Sequence, residues 1–219
     1  KPVGFVSNLP NRGESEACTL LTASRLATEA GKSGQERQQQ PRNLLERSMR
    51  DPAGLHVCGR LDKDSRGLLV LSADGVVART IIGGNAIRKS YVVTVHAPVT
   101  DAHIQFLRGP LELDGKPLLP MEVRRGRGRG RASDRVIEFG LIEGKNRQIR
   151  RVCGLAGLRV VDLLRTDVGP FALAGLPEGE WRLATAEELA QLTPHRSIEP
   201  TVAVSDGRGR GGGGRERGG

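Results

Sequence analysis

Asp62 and Asp64 stand in the run Gly59-Arg60-Leu61-Asp62-Lys63-Asp64-Ser65-Arg66-Gly67-Leu68-Leu69-Val70-Leu71. Two carboxylates, a hydroxyl and three cations separate two apolar segments, His56-Val57-Cys58 before and Leu68 to Leu71 after. That pattern reads as two β-type arms joined by a tight polar elbow. Gly59 and Gly67 suit close backbone approach or unusual dihedrals there. A carboxylate fixed at such an elbow is rigid yet open to solvent, as a nucleophile or base must be. Asp62 equally fits a turn capped through its own backbone, a common use of Asp.

Two further pieces carry matching chemistry. Tyr91 follows Arg88-Lys89-Ser90, and Lys145-Asn146-Arg147-Gln148-Ile149-Arg150-Arg151 supplies arginines on a helix. An acid, a phenol and a guanidinium form a set able to attack a nucleoside. A cation 4 Å from a carboxylate holds it ionised with about 4 kcal/mol at an effective dielectric near 20. Arginine suits this role because its fork is planar and always charged. A phenol can stack on an extruded base and reach its polar edge. The same residues also fit a surface ion pair and a strand tyrosine with its ring in the core.

The elements that must position these groups are legible in outline. Val3 to Val6 reads as a strand, Thr19 to Ala30 as a helix, and Leu44 to Met49 as a short helix. Gly31 to Asn43 is polar and low in complexity, a loop insertion. Asp74-Gly75 turns the chain into a helix from Val76 to Ile82. Tyr91 to Val95 is β-branched and extended. Thr100 caps a helix through Leu107. Leu118 to Val123 and Val136 to Ile142 read as strands, with a Gly/Arg loop from Arg124 to Arg135 between them. Ile149, Val152, Cys153 and Ala156 form a helical stripe, with Asn146 as its cap and Gly157 as its end. Val160 to Leu164 is a strand, and Gly169-Pro170 a turn. Trp181 to Leu183 is extended, and Thr185-Ala186-Glu187-Glu188 is a capping box that opens a helix through Leu192.

The 219 residues carry 34 Lys and Arg against 25 Asp and Glu, a net charge of +9. Arg124 to Arg131 supplies five of those charges and Ser205 to Gly219 two, so seven of the nine sit on two Arg/Gly segments. Such appendages suit a polyanion. They offer nothing apolar to insert into a membrane. Three distant cysteines and four scattered histidines give no metal-type pairing and no disulfide framework, which fits a reducing compartment.

The chain resembles the RsuA-type family of ribosomal RNA pseudouridine synthases from Lys1-Pro2-Val3-Gly4 through Leu192. GRLDKDSRGLLVLSADG at Gly59–Gly75, Lys89-Ser90-Tyr91 and EGKNRQIRR at Glu143–Arg151 are similar to three family motifs. Leu164-Arg165, Gly169-Pro170, Leu176, Gly179-Glu180 and Arg182 follow its C-terminal pattern. The resemblance implies an α+β catalytic domain: a central mixed, mainly antiparallel sheet with flanking helices, and two lobes around a catalytic cleft. That domain is expected over residues 1–194, with 31–43 and 124–135 as loop insertions and 195–219 as a disordered tail. It further implies isomerisation of specific uridines to pseudouridine in ribosomal RNA, the large-subunit RNA weakly preferred. Asp62 would be the catalytic carboxylate, Tyr91 would stack on the flipped uracil, and Arg150 would pair with Asp62. No metal and no cofactor are implied, nor a membrane, and the expected state is a monomer. The compartment is bacterial cytoplasm or a eukaryotic organelle, chloroplast or mitochondrion.

Extracting a stacked uridine costs a few kcal/mol, which backbone contacts must offset. Arg60, Lys63, Arg66, Lys89, Lys145, Arg147 and Arg151 are the candidates for RNA contact; each also fits a solvated charged face. Family members carry a small RNA-binding module upstream of the Lys-Pro-x-Gly start, and none is expected within these residues. The Arg/Gly loop and tail are candidate replacements. Two other functions fit the same residues: a catalytically silent RNA-binding protein of ribosome assembly, and a glycosidase that releases free uracil. Deleting Ser205–Gly219 is expected to weaken RNA binding and flatten its dependence on salt, because fewer counterions are released. Filter binding across a salt series measures both, and an unchanged slope removes the tail from RNA binding.

Overall fold

The computed structural model describes residues 1–27, 54–83, 87–126 and 133–192. The insertion at 31–43, the helix expected at Leu44–Met49, the middle half of the Gly/Arg loop (127–132) and everything after Leu192 lie outside them. In chain order the elements are β1 (His56–Val57), β2 (Arg66–Gly67), β3 (Leu71–Ser72), α1 (Gly75–Ile82) and β4 (Lys89–Val95). There follow α2 (Asp101–Arg108), β5 (Glu112–Leu113), β6 (Lys116–Pro117), β7 (Glu122–Arg125) and β8 (Val136–Leu141). The described chain closes with α3 (Gln148–Leu155), β9 (Val160–Val168), β10 (Phe171–Ala172) and α4 (Ala186–Leu192). The α+β expectation holds.

β4 is the middle of the main sheet, because its β-branched residues can pack on both neighbours. The strand order is β10-β9-β4-β8-β7, all antiparallel. β2 joins β9 in parallel, which makes the sheet mixed. Tyr91 lies opposite Phe139 on one side and Arg165 on the other. The register slips between Ser90 and Tyr91, a bulge that re-aims the strand beside the tyrosine.

One face of this sheet carries the larger core. Val93, Ile137, Phe139 and Leu163 pack there with Ile104 and Leu107 of α2 and with Ile149, Val152 and Cys153 of α3. A second cluster joins Cys58 and Leu68 of the elbow's arms to Val77 and Ile81 of α1, Val168, Phe171 and Leu192. The elbow leaves from this cluster and crosses to the sheet through β2. Burial pushes the Cys58 and Cys153 thiols up to about 11 and about 12, so both behave as core groups.

Local signals that need no distant partner are obeyed. Thr100 Oγ1 accepts from His103 N at 3.3 Å, and His103 Nδ1 accepts from Thr100 N at 3.1 Å, closing a capping box. Thr185 and Glu188 close another. Gly157, at φ 73°, ends α3. β9 runs further than expected, to Val168, because β4 pairs with it along its length.

Other expectations give way to tertiary pairing. Val3 to Val6 is not a strand: only Val6 bridges, to Glu16, while Gly4 N donates to Lys63 O at 2.9 Å. Within Thr19 to Ala30, the described part forms only short 3-10 turns, Ala17–Leu20 and Ala23–Arg25. Leu26 there bridges Trp181, whose Nε1 donates to Thr22 O at 2.8 Å. The strand expected at Leu118 to Val123 starts at Glu122 instead, after Pro120, which has no N–H to give a ladder. Arg124 and Arg125 belong to that strand and pair with Glu138 and Asp101. An Asp114-Gly115 hairpin joins β5 and β6; both residues have positive φ, 56° and 67°, as its turn demands. No described helix is long and apolar enough to cross a membrane.

Candidate active site

The elbow, β4, β9 and the start of α3 surround a cleft of about 540 Å³. Its wall includes Asp62, Tyr91, Arg147 and Arg150, with Arg60, Lys89, Lys145 and Arg165. Residues about 30 and 90 positions apart in the chain therefore face one space, as the expected constellation requires.

Asp62 is placed by its neighbours. Ser7, 2% exposed, donates to Leu61 O at 2.7 Å and accepts from Leu61 N at 2.8 Å. Ser65 N closes the turn on Asp62 O at 3.1 Å. Arg165, also 2% exposed, donates from Nε to Leu68 O at 2.8 Å, from Nη2 to Gly59 O at 3.0 Å and from Nη1 to Arg60 O at 3.3 Å. An added Cβ on Gly67 would lie 2.3 Å from the Arg165 carbonyl oxygen, and Gly67 holds φ 115°, so glycine is required where β2 meets β9.

The guanidinium facing Asp62 is that of Arg147, not Arg150 as the resemblance implies. Arg147 Nη1 lies 3.6 Å from Asp62 Oδ2 and also donates to Asp64 Oδ1 at 3.1 Å, with Nη2 on Asp64 Oδ2 at 2.9 Å. Arg150 Nη2 donates to Asp64 O at 2.7 Å and to Ser65 Oγ at 3.2 Å, and its Nε lies 3.3 Å from Asp64 Oδ2. The cause is the helix start. Asn146 is not the cap; Arg147 takes that place at φ 50°, a left-handed conformation that costs a non-glycine residue about 1–2 kcal/mol. Gln148 fixes the turn instead, Oε1 accepting from Lys145 N at 2.9 Å and Nε2 donating to Glu143 Oε1 at 3.0 Å.

The other cations divide into two groups. Arg60 and Lys89 line the cleft, and no side-chain partner holds either among the described residues. Burial, helped by the charge of Arg165, pushes the Lys89 ammonium down. Lys145 lines the cleft with its Nζ on Pro117 O at 2.8 Å. Lys63, Arg66 and Arg151 stand outside that wall and pair with Glu14, Asp162 and Asp114. In the sequence Arg165 stands out only as part of the C-terminal pattern that begins Leu164-Arg165. Burial pushes its guanidinium down, and the hydroxyl of its cross-strand neighbour Tyr91 opposes this.

This architecture is the pseudouridine synthase fold. The chain shares it with the crystal structure of a pseudouridylate synthase at a TM-score of 0.66 and 24% identity, covering 88% of this chain and 70% of that one. The chain belongs to the RNA pseudouridylate synthase family, whose model matches residues 1–154. It is 41% identical over 135 residues to the dual-specificity RNA pseudouridine synthase RluF of Salmonella typhi, covering 61% of this chain and 45% of that protein. It is 33% identical over 149 residues to the ribosomal large subunit pseudouridine synthase E of Xanthomonas campestris, covering 62% and 80%. The chain thus spans less than half the length of the first relative.

The hydrogen bond from Arg147 is the main cause that holds the Asp64 carboxyl below its usual range. Asp64 therefore contributes stability above the unfolded-state value near 4 and loses it as pH falls through the lowered folded value. Its side chain is 47% exposed, which limits the contribution to at most about 1 kcal/mol. Urea unfolding is expected to show Asp64→Asn less stable than the parent at pH 7, with the gap closing as pH falls from the unfolded-state value near 4 through the lowered folded value. A gap that stays constant with pH contradicts the pairing.

Proposed function

We propose that this chain isomerises specific uridines to pseudouridine in ribosomal RNA, with Asp62 as the catalytic carboxylate. The observation that carries this is the cleft itself: a fixed, half-buried acid on an elbow, a guanidinium 3.6 Å from it, and Tyr91 on the same wall. The reaction breaks the bond from N1 of uracil to C1′ of ribose, turns the base and joins C5 to C1′. A proton leaves C5 and N1 gains one, so the net change is isomerisation. Asp62, with the Arg147 guanidinium 3.6 Å away, begins this by attack on the sugar, attack on the base, or removal of a sugar proton. Tyr91 stacks on the base and is placed to act on the C5 proton. Arg150 braces the Asp64 carbonyl and the Ser65 hydroxyl, and so the elbow.

Arg60, Lys89 and Lys145 are the phosphate contacts this function favours, since they line the cleft. The Xanthomonas relative's name supports large-subunit RNA as the substrate. Every group invoked comes from one chain, in keeping with a monomer, and none calls for a metal, a cofactor or a membrane. The compartment is that of the ribosome served, bacterial or organellar.

Asp62→Ala is expected to abolish pseudouridine in ribosomal RNA while the RNA dissociation constant changes by less than about threefold. Pseudouridine mapping and filter binding measure the two. Product from Asp62→Ala overturns the site. An unaltered protein that binds RNA without making product is a silent binding protein, and free uracil marks a glycosidase.

A further inference from the structure

β9 carries into the cleft a cation that the scheme above leaves unused. Arg165 donates to carbonyls of both arms of the elbow, Gly59 and Arg60 on one and Leu68 on the other, at 2.8 to 3.3 Å. Leu68 N donates back to Arg165 O at 2.9 Å. Asp62 sits between the two arms. Yet no carboxylate among the described residues lies within ion-pair distance of this guanidinium, although it is only 2% exposed. Burying a cation without a counter-ion costs several kcal/mol. Three neutral carbonyls could be held by neutral donors, so clamping alone does not account for the charge.

The charge has a use at the stage where the substrate becomes anionic. When the N1–C1′ bond breaks heterolytically, the bonding pair stays on uracil until C5 joins C1′. Arg165 lines the cleft, and Tyr91 is its direct cross-strand neighbour. A fixed cation in a partly dry site acts on developing charge more strongly than it could in water.

We propose that Arg165 is a positioning residue for pseudouridine formation. Its fork holds both arms of the elbow so that Asp62 meets the ribose, and its uncompensated charge favours the detached, anionic uracil beside Tyr91. This rests on the function proposed above.

The test compares the unaltered protein with Arg165→Lys, which keeps the charge and loses the fork, and Arg165→Met, which loses both. Single-turnover pseudouridine formation, RNA binding and thermal melting are measured for each. Arg165→Lys is expected to slow the single turnover about a hundredfold, and Arg165→Met at least about tenfold more. The RNA dissociation constant moves by less than about threefold in both. A rate per folded molecule equal to that of the unaltered protein overturns the inference, since a purely structural residue changes melting alone. Equal loss in the Lys and Met variants overturns the role of the charge. If Arg165→Met does not fold, Arg165→Lys decides: a hundredfold loss with binding intact supports the inference, and an unchanged rate defeats it. No product from the unaltered protein overturns the proposed function and this inference with it.

Discussion

A buried guanidinium ties the two arms of an acidic elbow to the central sheet, and the geometry of the cleft follows from that tie. Arg165 can reach Gly59, Arg60 and Leu68 together because β2 lies against β9 with Gly67 at the contact. A side chain on Gly67 would occupy the space of the Arg165 backbone. Hydrogen bonds from a charged donor contribute about 1.5–3 kcal/mol each, more than ordinary turn contacts. The elbow is short and polar and has no core of its own, so external anchors must hold it. Ser7 supplies one next to Asp62, Arg165 another and Lys1 a third on Ser65 O and Gly67 O, with Arg150 bracing Asp64 and Ser65 from α3.

Ion pairing decides which cations remain for an incoming polyanion. Arg66, Arg88, Arg124, Arg125 and Arg151 each pair with a carboxylate on another element. Such exposed pairs are worth at most about 1 kcal/mol apiece. Their effect lies in placement: among the described residues they leave Arg60 and Lys89 without a side-chain partner in the cleft wall, where the proposed RNA substrate would need them. Arg147 is intermediate, shared between Asp62 and Asp64, with the closer hydrogen bonds to Asp64. Asp62, the proposed catalytic acid, is therefore the more weakly paired of the two.

What could be read from the chain was what neighbours in sequence decide. The α3 stripe, the Thr100 and Thr185 caps, the Gly157 stop and the β-branched β4 depend on residues a few positions apart, and all are present. The elbow and the three motifs that meet at the cleft were also legible, helped by the family resemblance. The Thr19 helix and the Val3 strand were not, because Trp181 and Lys63 claim that backbone from far along the chain and Glu16 pairs with Val6 across an irregular turn. The exchange of Arg147 for Arg150 at Asp62 turns on one left-handed backbone angle, which no helical pattern reveals. Arg165 gave no local sign of its burial or of its three carbonyl partners, since those lie about a hundred residues earlier.

In the proposed reaction a uridine drawn from its stack lies between Asp62 and Tyr91. A crystal structure of the protein bound to its ribosomal RNA target, with the uridine intact, tests this most directly. One extruded base stacked on Tyr91, with its ribose against the Asp62 carboxylate, is the expected result. RNA seated on the opposite face of the sheet, along Arg88 and Arg124, with nothing in the cleft, would contradict it.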